Sequence, residues 1–400
     1  MNNSNLESEF VWKPGKHCLE LDGVRGLAIL LVTLYRFSKE LDPSNFPSWL
    51  AIAVLRVGER GVDLFFVLSG FLITTILLQS KGNRNYFRHF FIRRSLRIFP
   101  LYFLALIIFI WIVPTVFSNT EAFSTAVDGQ FYLWTYLTNF RMALLNAWCF
   151  GPLDHFWSLA VEEHFYFIWP FVIYLLPVRK ALHISIAAIL LIGTTRIACS
   201  RIEGFSVAVE VLSLFRFDAL CFGTAIALLL ATPIVRNRPG KGLMLSIIPI
   251  AAICVFSAIF QKRLNTLPHS LCPLVWAVIL WRLVDSKPTD RLAVFFRNSN
   301  LRWFGKYSYA MYVFQLPLIA LVAPLVSVRA IEQFTSDPTL AGLLYMTMMF
   351  GLTCLLAWIS FHVFEKQFLK LKPQTKPTVE RADKMSTLAP PLPGWSVSQR

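Results

Sequence analysis

The chain has 400 residues, 56% of them hydrophobic and only 15% charged, with a formal net charge of +15. Soluble domains carry about a quarter charged residues. Here the apolar residues fall in blocks of about 18 or more, the length that crosses a bilayer, which excludes an ordinary soluble domain. The basic residues lie in short loops between these blocks and form no nucleic-acid-binding motif, which excludes a DNA- or RNA-binding role.

The blocks predict an all-α, polytopic integral membrane protein of about ten transmembrane helices, near 22–40, 61–79, 98–118, 156–177, 181–198, 209–232, 243–260, 267–284, 303–326 and 340–364. Placing the amino terminus in the cytoplasm puts most Lys and Arg inside, in 81–97, 179–180, 236–241 and 287–306. The carboxyl terminus then also lies inside, and anionic headgroups of the lipid bilayer account for the excess charge. Residues 1–20 are expected as a cytoplasmic segment too polar for a signal peptide, and 21–370 as the membrane domain. Residues 371–400, with Pro373, Pro377, Pro390, Pro391 and Pro393, are expected to be a disordered cytoplasmic tail, too short for an added hydrolase domain. The seven cysteines are scattered without metal-ligand spacing and are expected to be packing residues, with no metal.

Ionisable groups inside a span cost about 2.5–3.5 kcal/mol at the helix centre, so each is a functional candidate. In the first span Arg25 and Arg36 stand three helical turns apart on nearly one face, with Asp22 one turn from Arg25. They form either an ion-pair network or a polar stripe. The second span opens with Asp63, which caps the helix or faces a cavity, and continues with Ser69 and Gly70, small enough for close helix approach. After it come Arg88, His89, Arg93, Arg94 and Arg97, a compact cationic cluster if helical. Guanidinium forks suit phosphates, such as the nucleotide end of coenzyme A; the alternative is anchoring to headgroups.

The densest polar stretch runs from His155 to Tyr166. His155, Glu162 and Glu163 enter the membrane from the far side and are placed to bind hydroxyls or relay protons, or to pair with intramembrane arginines, Arg36 included. Arg216 and Asp218 lie within a later span. Tyr309 and Gln315 put a hydroxyl and an amide at membrane depth, where Gln315 is placed to bond a carbonyl freed by Pro317.

Six blocks carry a family likeness: Leu21-Asp22-Gly23-Val24-Arg25-Gly26, the run from Gly61 to Leu72, Arg93-Arg94-Ser95-Leu96-Arg97-Ile98-Phe99-Pro100, the run from His155 to Glu163, Arg216-Phe217-Asp218-Ala219-Leu220 and Gly305-Lys306-Tyr307-Ser308-Tyr309. In this order they resemble the acyltransferase-3 family of membrane acyltransferases. The resemblance implies a ten-helix enzyme of the bacterial inner membrane, with no bound cofactor, that uses acyl-coenzyme A as co-substrate. It implies transfer of an acyl group, commonly acetyl, to a hydroxyl of a surface carbohydrate or related metabolite. Arg93, Arg94 and Arg97 match its motif for the donor's phosphates. The polar interior, with Asp63, Arg216, Asp218, Tyr309 and Gln315, becomes the substrate route.

One position departs from the family. Its pattern has a basic residue, ten intervening residues and a histidine regarded as catalytic; here Arg25 is followed by Arg36. A guanidinium does not take up a proton at neutral pH, although it can stabilise an oxyanion. A replacement base is expected at Glu162, Glu163 or His155. Three readings stay open: an active O-acyltransferase, a catalytically silent relative that binds donor or glycan or serves a surface-polymer complex, and a carrier.

Overall fold

A computed structural model describes residues 17–41, 55, 58–116, 121–232 and 266–373; every regular element among them is helical. Nine long helices carry the architecture: α1 (Leu19–Ser38), α2 (Gly61–Ser80), α3 (Tyr86–Leu106), α4 (Trp157–Leu175), α5 (Val178–Cys199), α6 (Ser213–Leu230), α7 (Thr266–Val284), α8 (Ser299–Val322) and α9 (Pro338–Ser360). They coincide with nine of the expected spans. The span at 243–260, most of the amino-terminal segment and residues 374–400 lie outside the described residues.

Five helical stretches, Gly58–Ser80, Tyr86–Val116, Val178–Cys199, Ala208–Leu230 and Pro338–Lys370, are long and apolar enough to cross a membrane. The protein is therefore an all-α, multi-pass membrane protein. α1, with Glu20, Asp22, Arg25 and Arg36, is of similar length but more polar. α4 and α8 likewise turn polar side chains inward, while Phe167, Leu175, Leu190 and Leu191 project outward to where lipid replaces protein contacts.

α3 begins at Tyr86, well before the expected start at 98. Arginines interrupt the apolar run, so hydropathy misses this turn. Yet aromatic residues between them pack inward, with Tyr86 and Phe90 buried, and the long basic side chains carry their charges to the interface. The arginine cluster thus belongs to a rigid helix. α3 continues through a π-helical turn, Ile107–Ile112, to Val116.

Two close crossings fix the centre. α1 packs most extensively on α8, where a Cβ on Gly26 would overlap the Leu301 carbonyl and one on Gly305 the Asp22 carbonyl. α2 crosses α6 in the same manner at Gly70 and Gly223. Small residues allow this backbone approach, and packing rather than hydrophobicity holds helices together in lipid. At one end, the short helices Glu121–Asp128, Gln130–Trp134 and Thr138–Leu145 and the turn Gly151–Phe156 cover the bundle. There the Tyr102 hydroxyl donates to the Leu133 carbonyl at 2.7 Å. The other end carries the start of α1 and α3, and with them Arg25 and the arginine cluster.

Candidate active site

Two cavities lie along the bundle axis. The one nearer the basic end, about 100 Å³, is reached by Arg25, Arg94 and Arg97. Arg25 donates to Asp22 at 2.7 Å, and His17 lies 3.0 Å from the same carboxylate. Deeper in, Glu162 accepts from the Ser69 hydroxyl at 2.8 Å and the Tyr166 hydroxyl at 2.9 Å. Arg94 stacks over the Tyr166 ring, 5.3 Å from its centroid. Tyr309 borders the same space and donates to the Ile98 carbonyl at 2.7 Å.

The second cavity, about 330 Å³, opens at the far end among Arg36, Lys39, Glu59, Asp63, Asp154, Glu210 and Arg216. Arg216 donates to Asp63, and both side chains are almost fully buried. The guanidinium also lies against the edge-to-face pair of Phe66 and Trp157, 5.4 and 5.6 Å from their ring centroids. Asp154 accepts from the backbone N–H of Phe150 at 2.8 Å. Burial pushes its carboxyl up to about 6, against the opposing pull of that N–H and of Arg36.

A thin wall divides the cavities. Val62 lines both, while Trp157 faces the far cavity and its neighbour Ser158 the basic one. The hydroxyls of Ser158 and Tyr312 are 2.5 Å apart, and Tyr312 donates to the His155 carbonyl at 2.8 Å. His155 is buried in this wall, its Nε2 3.3 Å from the Val313 carbonyl oxygen.

Of the residues singled out in the sequence, Arg25, Arg94, Arg97, Glu162 and Tyr309 meet at the first cavity and Arg36, Asp63 and Arg216 at the second. Asp63 faces a cavity and an arginine, so it does more than cap a helix. Arg93 lies outside the first cavity, its Nη1 3.5 Å from the Pro373 carbonyl. Glu163 lines neither space and stands within electrostatic range of Tyr102, Tyr136 and Tyr309. Asp218 lines neither cavity either: it pairs with Arg196, wholly buried on α5, in a link between α5 and α6. Gln315 accepts from Thr33 on α1 at 3.2 Å instead of serving a carbonyl near Pro317.

Asp154, Lys39, Glu59 and Glu210 were missed because they fall outside or at the margins of the apolar blocks, where charge carries no cost. Arg196 carried a readable signal: a lone arginine near the end of a span requires a partner.

The profile of the acyltransferase domain matches residues 19–361. The chain belongs to this family. A candidate peptidoglycan O-acetyltransferase of Bacillus subtilis is 30% identical over 372 residues, covering 86% of this chain and 54% of that protein. The peptidoglycan O-acetyltransferase of Listeria monocytogenes is 28% identical over 356 residues, covering 82% and 54%. A candidate O-acetyltransferase of Staphylococcus aureus is 26% identical over 333 residues, covering 78% and 52%. The chain therefore spans about half the length of these relatives. No solved structure matches it.

Proposed function

We propose that this acyltransferase-family protein is an O-acyltransferase of the bacterial inner membrane. It moves an acyl group, in the first instance acetyl, from acyl-coenzyme A to a hydroxyl of a surface carbohydrate. The observation that carries the reading is the pair of cavities meeting at one thin wall, guanidinium-lined on one side and rich in carboxylates on the other. A donor with several phosphates is attracted to Arg25, Arg94 and Arg97; a sugar is held through its hydroxyls by the carboxylates and guanidinium groups of the larger space. The basic end then faces the cytoplasm, where coenzyme A esters are made, in keeping with the positive-inside distribution. The names of the relatives make a cell-wall glycan the first acceptor to test.

In the reaction the acceptor oxygen bonds to the thioester carbonyl carbon, the carbon–sulfur bond breaks, and the hydroxyl proton leaves through a base to the departing thiolate. Glu162, on the donor side, and Asp154, beside Arg36 on the acceptor side, are the carboxylates placed to take that proton. Arg36 is suited to the oxyanion that forms on the carbonyl.

Arg36 also favours a second reading, a family member that binds its substrates without turning them over. Transfer of label from acetyl-coenzyme A to glycan in cells expressing wild type or Arg36→His separates the two. Label in the glycan with wild type supports catalysis; label only with Arg36→His supports the silent reading. If both leave glycan unlabelled while the purified protein binds no coenzyme A, the acyltransferase reading is overturned.

A further inference from the structure

Beyond α9 the chain continues through a π-helical turn, Phe361–Glu365, and a short helix, Lys366–Lys370, that packs back against α3. This return brings the last described residues beside the arginine cluster of α3. The Pro373 carbonyl lies 3.5 Å from Arg93 Nη1. Lys372, half-buried just before it, stands within electrostatic range of Arg25, Arg93, Arg94 and Arg97.

This arrangement is costly as it stands. Like charges gathered at a partly desolvated site repel one another. Carboxylates offset part of this charge: Asp22 pairs with Arg25, Glu162 and Glu163 stand within electrostatic range of Arg94, and Glu365 within range of Arg97. The ammonium of Lys372 is itself depressed to about 8, by burial first and then by the four guanidinium groups. Lys372 is half-buried, and the short helix just before it packs on α3.

We propose that Lys372 completes, with Arg25, Arg93, Arg94 and Arg97, a binding site for an anion bearing more than one phosphate group, and that this anion is the nucleotide end of the coenzyme A ester. This rests on the donor reading above. It assigns the carboxyl-terminal end of the membrane domain to donor binding, through a residue 275 positions after Arg97 in the chain (372 − 97). The same chemistry would suit an anionic lipid headgroup, so the test separates the two.

Binding of coenzyme A and of its analogue lacking the 3′-phosphate is measured for the full chain in bilayer discs of phosphatidylcholine, with and without phosphatidylglycerol. The proteins are wild type, Lys372→Ala, Lys372→Arg and Arg94→Ala, each checked for a monodisperse fold. Losing one charge-assisted contact weakens coenzyme A binding about tenfold in Lys372→Ala, with recovery in Lys372→Arg and a smaller loss for the dephosphorylated analogue. Unchanged binding by Lys372→Ala alongside loss by Arg94→Ala overturns the role of Lys372 and leaves the donor reading intact. No binding by wild type overturns both. A site that phosphatidylglycerol fills, with coenzyme A displaced, overturns the proposal in favour of a lipid headgroup.

Discussion

Arg216 of α6 donates to Asp63 of α2 within the membrane domain, a pair 153 residues apart in sequence, and the two side chains form one flank of the larger cavity. Removing one partner takes away the direct buried counter-ion of the other, which costs up to about 3–5 kcal/mol. Arg60 stays within electrostatic range of Asp63, and Glu210 and Asp218 within range of Arg216, which limits the loss. Asp63→Ala and Arg216→Ala should each lower the unfolding midpoint of the detergent-solubilised protein sharply. The double variant should lose much less than the two losses added together. Additive losses would mean that the pair does not act as a unit.

Asp154 has a direct signature in pH. Its carboxyl is pushed up to about 6 in the folded protein, while an unburied aspartate titrates near 3.8. Between those values the folded chain holds a proton that the unfolded chain has released. The stabilisation from this group is complete below about pH 4 and disappears as pH rises through 6. The charged groups of its cavity, Arg36, Lys39, Glu59 and Glu210, shape the upper limit. Asp154→Asn should flatten the slope of stability between pH 4 and 6. If Asp154 takes the acceptor's proton, wild-type transfer falls below about pH 6, and the variant stays slow at every pH.

The two interhelical crossings give a packing test. A side chain at Gly26 meets the Leu301 carbonyl, which is backbone and has no room to yield, whereas a Cβ at Gly351 in α9 meets nothing within 4 Å. Gly26→Val should abolish recovery of folded protein from membranes. Gly351→Ala should be neutral or stabilise by about 0.5–1 kcal/mol, since alanine is the better helix former. Equal recovery of the two variants would contradict the close approach of α1 and α8.

Much of the bundle was legible because crossing a bilayer requires long apolar runs, and the helices α1 to α9 sit where those runs are. Position along a span also told which end a charge would occupy: Arg25 and Arg36, three turns apart, reach different cavities. What hydropathy does not encode is partnership. Nothing in the sequence says that Asp218 looks to Arg196 while Arg216, two residues away, looks to Asp63; the helical rotation between them turns the two charges apart. Nor does it say that Glu162 lines a cavity while Glu163 does not. Asp154 was hidden for another reason: its burial comes from the covering turn, a tertiary effect at a position that reads as loop.

Glu162 is the sequence candidate for a base that lines a cavity, and its two hydrogen bonds make its role testable. Ser69 and Tyr166 both donate to it, holding its oxygens in fixed directions. In Glu162→Gln one oxygen becomes an amide nitrogen that donates, so one of those hydroxyls must turn to accept, which a hydroxyl, both donor and acceptor, can do. The fold and coenzyme A binding should therefore survive. If Glu162 accepts the proton, acyl transfer drops by about 100-fold or more. Glu162→Asp should recover only part of this, because the shorter side chain keeps the charge but withdraws it from the hydroxyls. Transfer at the wild-type rate by Glu162→Gln would remove Glu162 as the base and leave Asp154, across the wall, as the carboxylate to follow.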